Sequence, residues 1–435
     1  MKFPKVLVIS NNCFSKSNSN GRTLGNFFVN WAKDSLAQFT ISMKDPDFDV
    51  CKNFFCITDR EVLSSVIFGG TKVGRILRES PKFSSITDNA SNTKVNKTAL
   101  KMLLREFVWS CGRWKNVLLS NWIQEFNPDV ILLQSGDSSF MINFAYSLAK
   151  SRNIPLVVFN TEAYYFYSKN YLPKSSLDFL TYPLLRNFYV RSFRRMIDYA
   201  VHSIYCNKLL KEDYDKEFHK SSSVLYTSSA LVFEPRPINL KSPRFSYIGN
   251  LGLNRPRGLA DIAETLRKIN HDYVLDIYGN AKPETIDFFE QYSNINYHGF
   301  IDYSSAVEVI KKTDILFHTE LLNEGQFDLR YAFSTKIADS LASGHNFLLY
   351  GSPDIACSQY IRDTGAAWFC SSKSQLIDCI SQILSNETLR MEKLETARCI
   401  VEKNHRLNKN SQNFKDILID ACKQFNRKTN ICRFQ

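Results

Sequence analysis

A lysine or arginine set beside glycine and hydroxyl-bearing residues suits a polyphosphate, and this chain shows that grouping twice after residue 240. In Ser334-Thr335-Lys336, good N-cap residues open a helical pattern in which Ile337 and Leu341 share a face and Gly344 is the stop signal. A helix start turns free N–H groups and a positive dipole end toward an anion, and Lys336 adds a formal charge. In the stretch 247–258, a strand runs into Gly249 and Asn250, and a loop then carries Arg255 and Arg257 toward a helix. Arginine presents a planar fork of donors that matches phosphate oxygens. Taken singly, the first piece reads better as an ordinary cap with a solvated lysine, and the second reads equally well as two surface arginines near a turn. Taken with Gly279, they fall at the carboxyl edges of different strands of one sheet, where ligands bind in open α/β sheets.

The elements that would position them are legible in the same half. Short β-branched or aromatic runs at 245–249, 273–279, 296–300, 314–319, 347–351 and 366–370 alternate with helical patterns near 259–269, 284–292, 304–312, 335–343, 353–362 and 374–384. Parallel neighbours need crossover helices, so this alternation predicts a doubly wound parallel sheet. The amino-terminal half begins alike, with strands at 5–10, 130–134, 155–160 and 203–206, and a helix from about Leu24. Residues 99–124 read as one basic helix bearing Trp109, Trp114 and Trp122. Pro235, Pro237 and Pro243 put the junction at 236–244. The fold class is therefore α/β with two Rossmann-like domains, 1–238 and 239–404, and a helix at about 405–435 that can pack back on the first.

Composition bounds the partners. The 435 residues favour two or three domains, and 44% apolar with 23% charged residues is ordinary for a globular chain. A net charge of +12 suits nucleotide phosphates, nucleic acid or an acidic membrane without choosing among them. Eleven cysteines, with no C-x-x-C pair, read as reduced thiols of a cytoplasmic protein. No apolar run reaches membrane-spanning length. Gly69 and Gly74 have P-loop spacing, but Arg75-Ile76 stands where Lys-Ser/Thr is required. The Asp45–Asp49 carboxylates imitate a metal-binding D-x-D and read better as a solvated turn; no Cys/His cluster suggests zinc. Neither metal nor cofactor is expected.

The ordered series of pieces over 245–372 resembles the retaining glycosyltransferases of the GT-B fold, family four. It comprises the strand-Gly-loop-Arg start, Asp276-Ile277-Tyr278-Gly279, Tyr297-His298-Gly299-Phe300, Thr313-Asp314-Ile315-Leu316 and the run 333–344. The resemblance implies two domains facing across a cleft and transfer of a sugar, hexosyl in type, from a nucleoside diphosphate sugar to an acceptor hydroxyl. It implies retention without a metal, in the making of a surface polysaccharide. Arg255 and Lys336 would meet the departing diphosphate, with Gly249, Asn250, Arg257, Gly279, Ser334 and Thr335 around it. Ile301 would face the base. Asp339 stands where relatives carry the second Glu of an E-x7-E pattern, on the ribose. Tyr331 stands where the first Glu belongs, and Glu320, Glu324, Asp328 or Arg330 are candidate replacements on the sugar side.

In the first domain, Gly21 and Arg22 resemble the family's glycine-bearing loop near donor phosphates and acceptor, and equally an incidental flexible loop. Asn160 stands where some relatives place a catalytic histidine; Asp137 and Glu162 are candidate contacts for a saccharide or lipid-linked saccharide acceptor. The aromatic and basic residues of 163–200 suit either an anionic membrane surface, on the inner face of the cell membrane, or a polar-rimmed core helix. Nucleic acid is not expected as a partner, for no nucleic-acid module accompanies the charge. Three rival readings stay open: a nucleotide-sugar epimerase or phosphorylase, a non-catalytic nucleotide-sugar binder, and a membrane-associated assembly protein.

Overall fold

The computed structural model of the chain describes residues 3–42, 44–69, 72–79, 97–322 and 329–431. It divides into two compact units: Met1–Leu225 with Asn410–Gln435, and Tyr226–Lys409. The division thus precedes the proline-rich stretch at 235–243, which belongs to the second unit, and the last helix is shared differently from the expected break at 404. Local bonding explains why. The Ser229 N–H donates to the His405 carbonyl at 2.9 Å, and the His405 ring bonds the Thr227 carbonyl at 2.7 Å and the Tyr360 hydroxyl at 2.7 Å. The chain is therefore tied into the second unit before the first proline is reached.

The first unit contains β1 (Val6–Ser10), β2 (Leu36–Thr40), β3 (Asn53–Cys56), β4 (Arg75–Leu77), β5 (Val130–Ser135), β6 (Leu156–Asn160), β7 (His202–Tyr205) and β8 (Ser222–Val224). They form one eight-stranded sheet in the order β4-β3-β2-β1-β5-β6-β7-β8, parallel except for the antiparallel β3–β4 pair. The order reverses between β1 and β5, which pair in parallel. One face of this sheet buries Val8, Leu132, Val157 and Phe159 under Leu24, Phe27 and Phe28 and, from the far end of the sequence, Phe414 and Leu418.

The expected single helix over 99–124 is two, Ala99–Ser110 and Val117–Phe126. Gly112 takes a positive φ of 72° between them, and the Asn116 side chain caps the second by accepting the Leu119 N–H at 3.0 Å. The three tryptophans are all buried.

The second unit contains β9 (Phe245–Ile248), β10 (Leu275–Tyr278), β11 (Ile295–Gly299), β12 (Ile315–Glu320), β13 (Asn346–Gly351) and β14 (Trp368–Cys370). All six are parallel, in the order β11-β10-β9-β12-β13-β14. Successive side chains of a strand enter opposite layers. Phe245, Tyr247, Ile277 and Phe317 pack with Leu259, Ile262 and Leu266 on one face, and Leu316, Phe347 and Leu349 with Ile337, Leu341 and Ile361 on the other. The strand order turns back between β9 and β12. That switch point leaves a crevice at the carboxyl ends of the two strands.

Candidate active site

The second unit's candidate residues gather at this switch point. The Gly249 N–H extends the ladder beyond β9 by donating to the Tyr278 carbonyl at 2.8 Å, and the Gly279 N–H donates to the Gly299 carbonyl at 2.8 Å. Gly249 and Gly279 press together: a Cβ on Gly279 would stand 1.7 Å from the Gly249 carbonyl oxygen, so no other residue fits there. The other side of Gly249 is crossed by Lys336, whose Cε would lie 2.7 Å from a Cβ at 249. The Tyr247 hydroxyl donates to the Asn250 carbonyl at 2.8 Å and holds this turn in place.

Arg255, the first residue of the helix Arg255–Ile269, donates from Nη1 to the same Asn250 carbonyl at 3.3 Å. Lys336 and Arg255 thus flank one dipeptide, Gly249-Asn250, at the end of β9. The guanidinium is not open, however. Nε and Nη2 both donate to Glu320 Oε1, at 3.2 and 2.6 Å, and the two side chains are only 12% and 2% exposed. Glu320 ends β12 and also bonds His318 Nε2 at 3.1 Å, while the His318 ring stacks on Tyr247.

Burial would raise the Glu320 carboxyl; the His318 hydrogen bond and the Arg255 charge outweigh it and hold the group down at about 2. Burial lowers His318 and prevails over the Glu320 carboxylate that would raise it. His318 is therefore neutral near pH 7 and donates its Nε2–H to the Glu320 carboxylate, which the Arg255 guanidinium also faces. His318 and Glu320 are two apart on one strand and so share a face; two titratable residues on one face of a fully buried strand were the signal that could have found this cluster.

The remaining second-unit candidates divide. Arg257 is exposed two residues into the same helix and makes no ion pair among the described residues. Ser334 and Thr335 precede the helix Lys336–Ala342, which has seven residues. Its first amides are drawn to Ser334: the Lys336 N–H to Oγ at 3.4 Å and the Ile337 N–H to the carbonyl at 3.2 Å. The positive potential at this end of the helix therefore rests on the formal charge of Lys336 more than on open amides.

Asp339 is 7% exposed and is bonded by the Ser229 hydroxyl at 2.6 Å and the Tyr303 hydroxyl at 3.2 Å, so its carboxylate ties the helix to the strap at 226–231. Ile301 is half-buried in the turn after β11. Arg330 lies over the Tyr331 ring, 4.5 Å from its centroid. Glu324 and Asp328 lie outside the described residues.

In the first unit, Gly21 and Arg22 are not in a loop. The helix Ser19–Asn26 starts before them, capped by Asn18, whose side chain accepts the Asn20 and Gly21 N–H groups at 3.0 Å each. Gly21 is buried, and a Cβ there would meet the Cys13 carbonyl at 2.5 Å, which gives it a packing reason.

Asn160 ends β6 and pairs in register with Ser135 of β5, so Asp137 and Glu162 leave adjacent strand ends. Asn160 is 1% exposed, and its Nδ2 has no hydrogen-bond partner among the described residues. Asp137 lines a cavity of about 20 Å³ with Tyr164, Tyr171, Tyr189 and Arg186. Desolvation pushes the Glu162 carboxyl up to about 7 against a long hydrogen bond from Tyr167, 3.5 Å, although water still reaches the residue.

No family model and no curated protein sequence matches the chain. Solved structures do resemble it. HepE of Anabaena, in complex with UDP and glucose, aligns with a TM-score of 0.59 at 11% identity, over 95% of this chain and 99% of that one. A glycosyltransferase from Rickettsia africae ESF-5 aligns at 0.56 and 13%, over 97% and 100%. The apo form of the lipopolysaccharide outer core galactosyltransferase WaaB aligns at 0.54 and 14%, over 95% and 99%. The fold is GT-B. At these identities the likeness speaks for the arrangement of elements in each unit and leaves the chemistry to the residues above.

Proposed function

We propose that this chain transfers a sugar from a nucleoside diphosphate sugar to a hydroxyl of a saccharide or lipid-linked saccharide, with retention and without a metal. The observation that carries this reading is the meeting of Lys336 and Arg255 at Gly249-Asn250, on the switch point of a sheet shared with glycosyltransferases. Breaking the bond from the anomeric carbon to the diphosphate leaves negative charge on phosphate oxygens. The Lys336 ammonium meets that charge directly. The Arg255–Glu320–His318 group fixes the turn against which the phosphates rest, and Arg257 offers a second, exposed cation.

On the acceptor side, the Asn160 amide, whose Nδ2 has no partner among the described residues, and the carboxyl groups of Asp137 and Glu162 supply a donor and acceptors suited to sugar hydroxyls. HepE was solved with UDP and glucose, which supports a uridine-type donor here. WaaB, a lipopolysaccharide galactosyltransferase, supports a surface polysaccharide as the product.

The test is turnover of a panel of nucleoside diphosphate sugars, read by mass spectrometry of the glycosylated acceptor. Lys336→Ala is expected to lower turnover by about 10²–10³ with an unchanged circular dichroism spectrum, the scale for losing one preorganised electrostatic group. Wild-type turnover in that variant at saturating donor would remove Lys336 from the mechanism. A second reading is favoured by Tyr331, which puts a ring where a carboxylate would hold the donor sugar: the chain then binds the donor and transfers nothing. Calorimetric binding of the donor without product from any acceptor would select it.

A further inference from the structure

The helix Asp178–Tyr199 lies beside the helix Ala99–Ser110, and the two share a buried seam of Met102, Tyr182 and Leu185 that Leu172 of the preceding loop joins. A helix with one face in such a seam ordinarily turns a polar face to water. Here the outward faces are apolar as well. Phe179 is 78% exposed, Phe107 66%, Leu180 56%, Leu104 55%, and Leu184 and Phe188 are also open. Positions 180, 184, 188, 191 and 195 form one stripe along the second helix, apolar in its first half and arginine in its second. Lys101, one turn before Leu104, and Lys174, shortly before the second helix begins, are exposed bases.

Charge is concentrated on the same elements. Residues 97–118 and 163–199 carry eleven Lys and Arg against three Asp and Glu, a net +8 of the whole chain's +12. Glu106 is one of the three, and it faces inward, accepting the Ser139 and Phe140 N–H groups at 2.7 and 2.9 Å.

A protein partner with a matching apolar face would not need the net positive charge. A nucleic acid would not need the exposed phenylalanines. Among the described residues no helix is long and apolar enough to cross a membrane. Rings and leucines ringed by cations, on helices that lie side by side, match an interface with acyl chains beneath and anionic headgroups around. We infer that this face of the first unit docks on an anionic lipid bilayer, the phenylalanines inserting and Lys101, Lys174 and Arg191 meeting the headgroups. The inference is independent of the donor site and does not require the transferase reading.

Sedimentation of the full chain with vesicles of phosphatidylcholine alone, and with about 30% phosphatidylglycerol, tests it. The protein should pellet with the anionic vesicles, far less with the neutral ones, and less again at high salt. Lys174→Gln with Arg191→Gln should weaken vesicle binding roughly fivefold for each charge removed. Phe179→Ser with Phe188→Ser should abolish pelleting while circular dichroism and nucleoside diphosphate binding stay as in the wild type; both residues are exposed, so folding does not depend on them. Three results would overturn the inference: no binding to anionic vesicles, binding unchanged in both variants, or a wild-type dimer that the phenylalanine variant dissolves. The last would assign the face to a second copy of this chain.

Discussion

In the proposed site Arg255 has two roles, as a cation near the donor and as the counter-charge of a buried carboxylate, and the second demand is the larger. Arg255→Ala would leave Glu320, 2% exposed, without its positive partner. Breaking a buried pair from one side costs about 3–5 kcal/mol, so this variant should fold poorly, whereas Lys336→Ala should not. Thermal melts of the two variants would tell: equal stability would mean that Glu320 does not depend on Arg255. Glu320 also sets a pH limit. Its folded value, about 2, lies below the ordinary carboxylate value of 4.5. The stabilisation is thus fully present above pH 4.5 and is lost as pH falls toward 2, with a size on the order of 3 kcal/mol. In a melt series, the stability advantage of wild type over Glu320→Gln should be flat above pH 5 and shrink below pH 4. An advantage that persists undiminished at pH 3 would contradict this account.

The short helix Lys336–Ala342 carries the proposed phosphate lysine, and one carboxylate holds the helix in place. Asp339 is buried and receives the Ser229 hydroxyl at 2.6 Å. Ser229→Ala removes a charge-assisted bond from a buried group, which costs about 1–3 kcal/mol. The expected outcome is a modest drop in melting temperature with a several-fold weaker affinity for nucleoside diphosphate, measured by calorimetry, because Lys336 loses its fixed approach across Gly249. An unchanged affinity alongside the lower melting temperature would separate the helix from the donor site.

Elements of this kind were unevenly legible. In the second unit, β12 and β13 are buried throughout and read as largely apolar runs, while β10 and β11 towards one edge of the sheet alternate apolar with polar residues, so each was recognisable, with ends shifted by a residue or two. Leu36–Thr40 was not, because Gln38 and Thr40 break the run. Both are buried strand residues satisfied internally, Gln38 by accepting the Phe14 N–H at 2.8 Å and donating to the Ser10 hydroxyl at 2.8 Å. Within the site, Lys336 was visible from its motif. The pairing of Arg255 with Glu320 was not, since 65 residues separate them and only the adjacency of β9 and β12 unites them.

At the scale of the whole molecule, the chain leaves the first unit after Leu225 and re-enters it at Asn410, so that unit's core is completed by residues almost two hundred positions further along the sequence. The re-entry is specific. The Ser411 hydroxyl donates to the Phe27 carbonyl at 3.0 Å, and Phe414 stacks on Phe27 at 5.1 Å and meets Phe28 edge-on at 5.0 Å. Phe414 and Leu418 have no exposed surface. A fully buried phenylalanine cut to alanine loses about 3–5 kcal/mol, while a hydrophobic replacement that nearly keeps the volume costs less than about 1.5 kcal/mol. Urea unfolding of the full chain, followed separately by the tryptophan signal and by nucleoside diphosphate binding, puts this to work. All described tryptophans except Trp368 lie in the first unit, so fluorescence reports mainly on it. Phe414→Ala should move the fluorescence transition to lower urea and leave the ligand-binding transition of the second unit nearly in place, and Phe414→Leu should restore most of the first. A shift of both transitions together would mean that the two units unfold as one cooperative block, and that the returning helix stabilises more than the sheet it covers.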